Sequence, residues 1–105
     1  MLNQADINRL VAHWALSAEK DHHTMLNLME SNDYSWAMFL GHIVIEKSLK
    51  ALIVKHTAQH APFSHDLLKL ANLAGLSLTT DVSDYLDAIT LFNINASCII
   101  QRSTC

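Results

Sequence analysis

Residues 43–55, Ile-Val-Ile-Glu-Lys-Ser-Leu-Lys-Ala-Leu-Ile-Val-Lys, place apolar side chains at helical spacing on more than one side, with Glu46-Lys47-x-x-Lys50 embedded among them. A helix apolar on more than one side sits at the centre of a bundle or turns its second side to a partner. The pattern begins near Tyr34 and runs through Trp36, Phe39, Leu40, Ile43, Leu49, Leu52 and Ile53 to about His56. Gly41 permits close approach of a neighbouring helix, and Val44, Ile45 and Val54 widen the stripe. The segment therefore reads as the central helix of the fold.

Before it, Ser31-Asn32-Asp33 supplies a break and a new cap. The first helix starts at Asn3, a capping residue, has Asp6 in its first turn, and carries Ile7, Leu10, Val11, Trp14 and Ala18 on one face before reaching about Glu30. After it, Pro62 biases Ala61 away from helical geometry, and Ser64 is the expected cap of a short third helix ending near Gly75. Thr79 or Thr80 caps a fourth helix whose buried face is predicted as Val82, Tyr85, Leu86, Ile89, Phe92 and Ala96. Beyond Ala96 the amphipathic pattern gives way to β-branched and small polar residues. The expected organisation is one domain over residues 1–96 followed by a frayed or atypical tail over 97–105, with an all-α, up-and-down bundle of about four helices.

Composition agrees. With two glycines and one proline in 105 residues there is little turn chemistry, and Ala, Leu, Met, Lys and Glu favour helix over strand. Half the residues are apolar and 16% are charged, below the roughly 25% of ordinary soluble domains, so an apolar partner surface is plausible. No apolar run approaches the ~20 residues of a membrane span, and the N-terminus lacks the basic-then-apolar order of a secretory signal. The two cysteines, Cys98 and Cys105, fit a reduced, cytoplasmic protein. A formal charge of −3 argues against broad attraction to nucleic acid while leaving room for a local basic site.

Three local patterns, in this order, resemble the HEPN family of small helical domains. Helix two carries Ala37, Phe39, Glu46, Lys47, Leu49 and Lys50, similar to the family's A-x-F-x-x-x-x-x-E-K-x-L-K. Ser64-His65-Asp66-Leu67 with Leu70 resembles its T/S-H-D-L-x-x-L. Phe92-Asn93-Ile94-Asn95-Ala96 resembles the start of its helix-four signature. The resemblance covers roughly residues 5–96. It implies a bundle of four or five helices, frequent homodimerisation, and frequent operation beside a small nucleotidyltransferase as a two-component, toxin–antitoxin-like module. Some members are ribonucleases, with an Arg followed four to six residues later by His on one helical face. That pair is missing from this chain: Arg102 has no His after it, and Arg9 and His13 lie in helix one. The family's remaining helix is also shortened, for which a natural ending, a shifted frame and a cut boundary are equal explanations.

Each motif has a plainer reading. Glu46 and Lys50, at i and i+4, make the kind of pair that stabilises an exposed helix by about 0.2–0.5 kcal/mol. Lys47, Lys50 and Lys55 form the one cationic concentration, suited to one or two phosphates. His65 and Asp66 are placed in the first turn of helix three, where Asp suits the dipole and His bonds a neighbour. Trp14, Trp36 and Phe39 read as core rather than as a base-stacking platform. Among seven histidines, His56 and His60 have helical spacing but lack the glutamate of a zinc-peptidase motif, and His22-His23 is no stronger. Metal and cofactor are assigned as none.

These readings together predict a binding module with no assigned catalytic residue. Lys47, Lys50 and His65 are the candidate phosphate or nucleotide contacts, and Glu46, Asp66, Asn93 and Asn95 are structural residues of the family motifs. Expected partners are a second copy of the chain, a nucleotidyltransferase-domain protein, and a nucleotide or RNA, with no membrane. The alternatives are a ribonuclease with an atypical or truncated active site, such as His65 with Lys47, and a purely structural adaptor.

Overall fold

In a computed structural model, the backbone of residues 1–101 and the side chains of residues 1–91 are described. Four helices follow one another: α1 (Gln4–Glu30), α2 (Tyr34–Thr57), α3 (Leu67–Leu73) and α4 (Thr80–Gln101). The described residues contain no strand. α1, α3 and α4 all pack on α2, and α3 also packs on α4, which makes α2 the central element.

Local chemistry sets the helix ends. The Asn3 side chain accepts from the Asp6 backbone N–H at 2.8 Å, one of the amide groups a helix start leaves without an internal partner. α1 closes with Asn32 at φ 63°, where Asp33 N–H reaches Leu28 O and Asn32 N–H reaches Met29 O. Gly75, at φ 77°, closes α3 in the same way through Leu76 N–H to Ala71 O and Gly75 N–H to Asn72 O. Both are Schellman closures, which require a left-handed residue just beyond the helix. Thr79 caps α4, its Oγ1 accepting from Val82 N–H at 3.3 Å.

The cap of α3 differs from expectation. Asp66, not Ser64, is the N-cap and accepts from Lys69 N–H, while Ser64 Oγ accepts from Asp66 N–H one step earlier. His65 and Asp66 therefore precede the helix instead of forming its first turn. A carboxylate at this point satisfies a free amide and also complements the helix dipole.

Leu49 and Ile53 of α2 meet Leu67, Leu70, Ala71 and Ala74 around α3, with Leu86 and Ile89 of α4 against them. Leu67 and Leu70 are fully buried, each contributing about 1.5–3 kcal/mol by removal from water. Trp36 is 47% exposed, and so does not belong to the core in which it was expected; Trp14 and Phe39 are half-buried. Val82 and Tyr85, expected on the buried face of α4, are also exposed. The cause is positional: among the described residues α4 packs on α2 and α3 and not on α1, so its first turns lie over a short helix with little surface to offer. Helical backbone continues past Ala96 to Gln101, within the stretch expected to fray. Residues 102–105, Arg102 and Cys105 included, lie outside the described residues.

Candidate functional site

The turn from α2 to α3 begins at Ala58, in the left-handed conformation with its N–H on Val54 O, and runs back along α2 to Asp66. Ala61 packs against the core and pins the near half. Two bonds fix the far half: His42 Nε2 on α2 donates to the His65 carbonyl at 3.0 Å, and Leu67 N–H reaches Thr90 Oγ1 on α4 at 3.3 Å. Between these anchors Phe63 projects, 93% exposed.

Glu46 lies beneath this turn. It is 6% exposed and carries three neighbours: Lys50 Nζ at 3.2 Å on Oε2, and His65 Nδ1 at 2.6 Å and His42 Nε2 at 3.7 Å on Oε1. A buried carboxylate needs such partners because desolvation otherwise disfavours its charged form. Donation from Nδ1 fixes the His65 tautomer and leaves Nε2 directed away from the carboxylate, on a side chain 65% exposed. Lys50 is itself buried, its ammonium 5.2 Å from the Trp14 ring centroid and 5.9 Å from that of Phe63. Edge contacts extend the cluster at both ends, His13 on Trp14 at 5.1 Å and Phe63 on His65 at 5.6 Å. The result is an aromatic and imidazole surface laid over a buried ion pair.

The sequence-predicted residues divide. Glu46, Lys50 and His65 come together, and the Glu46–Lys50 pair is buried rather than exposed as its spacing alone suggested. Lys47 turns to the other helix, where its Nζ donates to Asp21 Oδ2 at 2.6 Å and Ser17 Oγ at 2.7 Å. The motif's two lysines therefore serve different contacts, both within the chain, and do not join exposed Lys55 in one cationic patch. Asp66 has the structural role just described. The side chains of Asn93 and Asn95 lie outside the described residues. His56 sits in the last turn of α2 while His60 falls in the following turn. Trp14 and Phe63 are the members that sequence reading did not assign to the site. Phe63 carried a signal, as an aromatic immediately after the proline of a loop.

A scan against family models matches the HEPN domain over residues 11–103. No curated protein matches the chain, and no solved structure does. The central α2, with Glu46 and Lys50 buried beneath the Ser64-His65-Asp66-Leu67 turn, is the part of the fold that holds two of the three resembling motifs together, and the chain belongs to the HEPN domain family.

Proposed function

We propose that this HEPN domain binds a nucleotide or a short single-stranded RNA at the surface formed by Trp14, Phe63 and His65. The observation that carries the reading is Phe63, almost wholly exposed on a turn anchored from both sides, with an exposed imidazole against its edge. Solvated phenyl rings are unfavourable, and stacking a base on such a ring is worth about 1–3 kcal/mol. His65 offers Nε2, a lone-pair acceptor in the neutral ring, to an amino or hydroxyl donor of a base or ribose, its other nitrogen being held by Glu46. Lys50 adds positive potential from below, reduced by its pairing with Glu46. Fluorescence anisotropy with a labelled single-stranded oligoribonucleotide tests the reading. Saturable binding that Phe63→Ala weakens about five- to hundred-fold supports it. Binding that ignores Phe63→Ala and His65→Ala overturns it.

The Glu46–His65 pair supports a second reading, the ribonuclease. An imidazole oriented by a carboxylate is the usual arrangement of a general base. Weighing against it, Lys47 is committed to Asp21 and Ser17 instead of standing beside His65. Cleavage of RNA that disappears in His65→Ala, with binding retained, selects this reading over simple binding.

A further inference from the structure

Among the described residues α1 and α4 both pack on α2 and make no contact with each other, and a strip of α2 lies between them. Tyr34, Met38, Gly41 and Ile45 follow one another along this strip at spacings of four, three and four. It forms the floor of an apolar groove of about 420 Å³, walled by Met25 and Met29 of α1 on one side and Ile89 of α4 on the other. Gly41 keeps the floor low: a β-carbon there would meet Met25 Sδ at 3.4 Å. The Tyr34 hydroxyl is already spent on Asn32 Oδ1 at 2.8 Å.

One polar residue in the lining stands apart. His42 is 5% exposed and lines the groove, and its Nδ1 is buried with no hydrogen-bond partner among the described residues. Its Nε2 faces a backbone carbonyl, that of His65, and beyond it the Glu46 carboxylate at 3.7 Å. Both neighbours are acceptors, so Nε2 carries the proton and Nδ1 of the neutral ring is a lone-pair acceptor. A buried acceptor left without a donor is destabilising by about 1–3 kcal/mol. The lining is apolar apart from His22, Tyr34 and His42; an apolar wall with a few polar groups is the usual form of a small-molecule site, and the volume lies within the roughly 300–1,000 Å³ of such sites.

We infer that the groove is a binding site for an apolar, ring-containing small molecule with a single N–H or O–H donor, which His42 Nδ1 accepts. The three methionines suit this role, because unbranched thioether side chains adapt to a flat ring and make favourable sulfur–aromatic contacts. The site is separate from the Trp14–Phe63–His65 surface, on another side of α2.

Indole and 1-methylindole provide the test, since they share a shape but only indole donates. With methyl-labelled methionine, NMR follows Met25, Met29 and Met38 in the groove, and Met1, fully exposed, reports nonspecific effects. The expected result is saturable shifts of the three groove methyls with Met1 unmoved, and binding of indole about five- to tenfold tighter than of 1-methylindole. His42→Phe, which keeps a ring and removes the acceptor, is expected to erase that preference. Should this variant not fold, the two probes on the unaltered chain decide the matter alone. Equal affinity for both probes overturns the proposal, as does the lack of saturable shifts at millimolar probe. Groove-methyl shifts that follow protein dilution and block the probe also overturn it, assigning the groove to a second copy.

Discussion

The Nδ1 of His65 donates to Oε1 of Glu46 across 2.6 Å, joining a side chain that is 65% exposed to a residue that is 6% exposed. Glu46 thereby links the surface turn to the interior of α2, and through Oε2 it also neutralises buried Lys50. The exposed imidazole is held by the same carboxylate that the core needs for its own charge balance.

Removing that carboxylate has a definite expected outcome. Glu46→Gln leaves Lys50 buried without a counter-charge, and breaking a buried pair from one side costs about 3–5 kcal/mol. Pairing it with Lys50→Met removes the stranded charge and is expected to restore most of the loss, because an apolar replacement of both partners is often neutral. Urea denaturation of the two single variants and the double variant measures this. Additive losses in the double variant would show that the two groups do not stabilise one another.

Phe63→Ala separates folding from binding. An exposed side chain away from caps and core changes stability by about 0.5 kcal/mol or less, while removal of a stacking platform weakens base binding by about 1–3 kcal/mol. Thermal melting and anisotropy on the same sample are expected to disagree, the first unmoved and the second shifted. A large fall in melting temperature would instead give Phe63 a structural duty.

Much of the fold was legible because its determinants are local. Asn3, the Ser31-Asn32-Asp33 turn and Gly75 act within four residues of themselves, so capping rules located three of the helix ends. The site was legible only in part. Glu46 and His65 are 19 residues apart, and their contact depends on the path of a turn pinned by His42 and Thr90. Lys47 meets Asp21 across 26 residues, a register between α1 and α2 that periodicity does not specify. Trp36 shows the same limit, since a helix apolar on several sides does not reveal which side is left to solvent.

Lys47 supplies a contrast to Glu46. Its ion pair is about a quarter exposed on both partners, so solvent screens it, and Lys47→Met is expected to lower stability by about 0.2–1 kcal/mol. RNA binding at Phe63 is expected to stay unchanged, because this ammonium faces α1. An equilibrium melt and an anisotropy titration check both statements. A tenfold loss of affinity would bring Lys47 back as a ligand contact.

Gly75 and Asn32 occupy equivalent positions in two Schellman closures, and substitution tells conformation from contact. At Gly75, φ 77° disfavours any β-carbon by about 1–2 kcal/mol, and that carbon would also lie 2.7 Å from His56 Nε2. The His56 ring is the far end of an exposed side chain and can rotate aside, whereas the backbone angle is set by the closure. Gly75→Ala is therefore expected to cost about 1–2 kcal/mol, with little recovered in Gly75→Ala/His56→Ala. Asn32→Gly, at φ 63°, relieves the angle but loses the exposed hydrogen bond from the Tyr34 hydroxyl to Asn32 Oδ1, and is expected to change stability by about 0.5 kcal/mol or less. Full recovery on adding His56→Ala would mean that the crowding by the imidazole, and not the left-handed backbone, requires glycine at position 75.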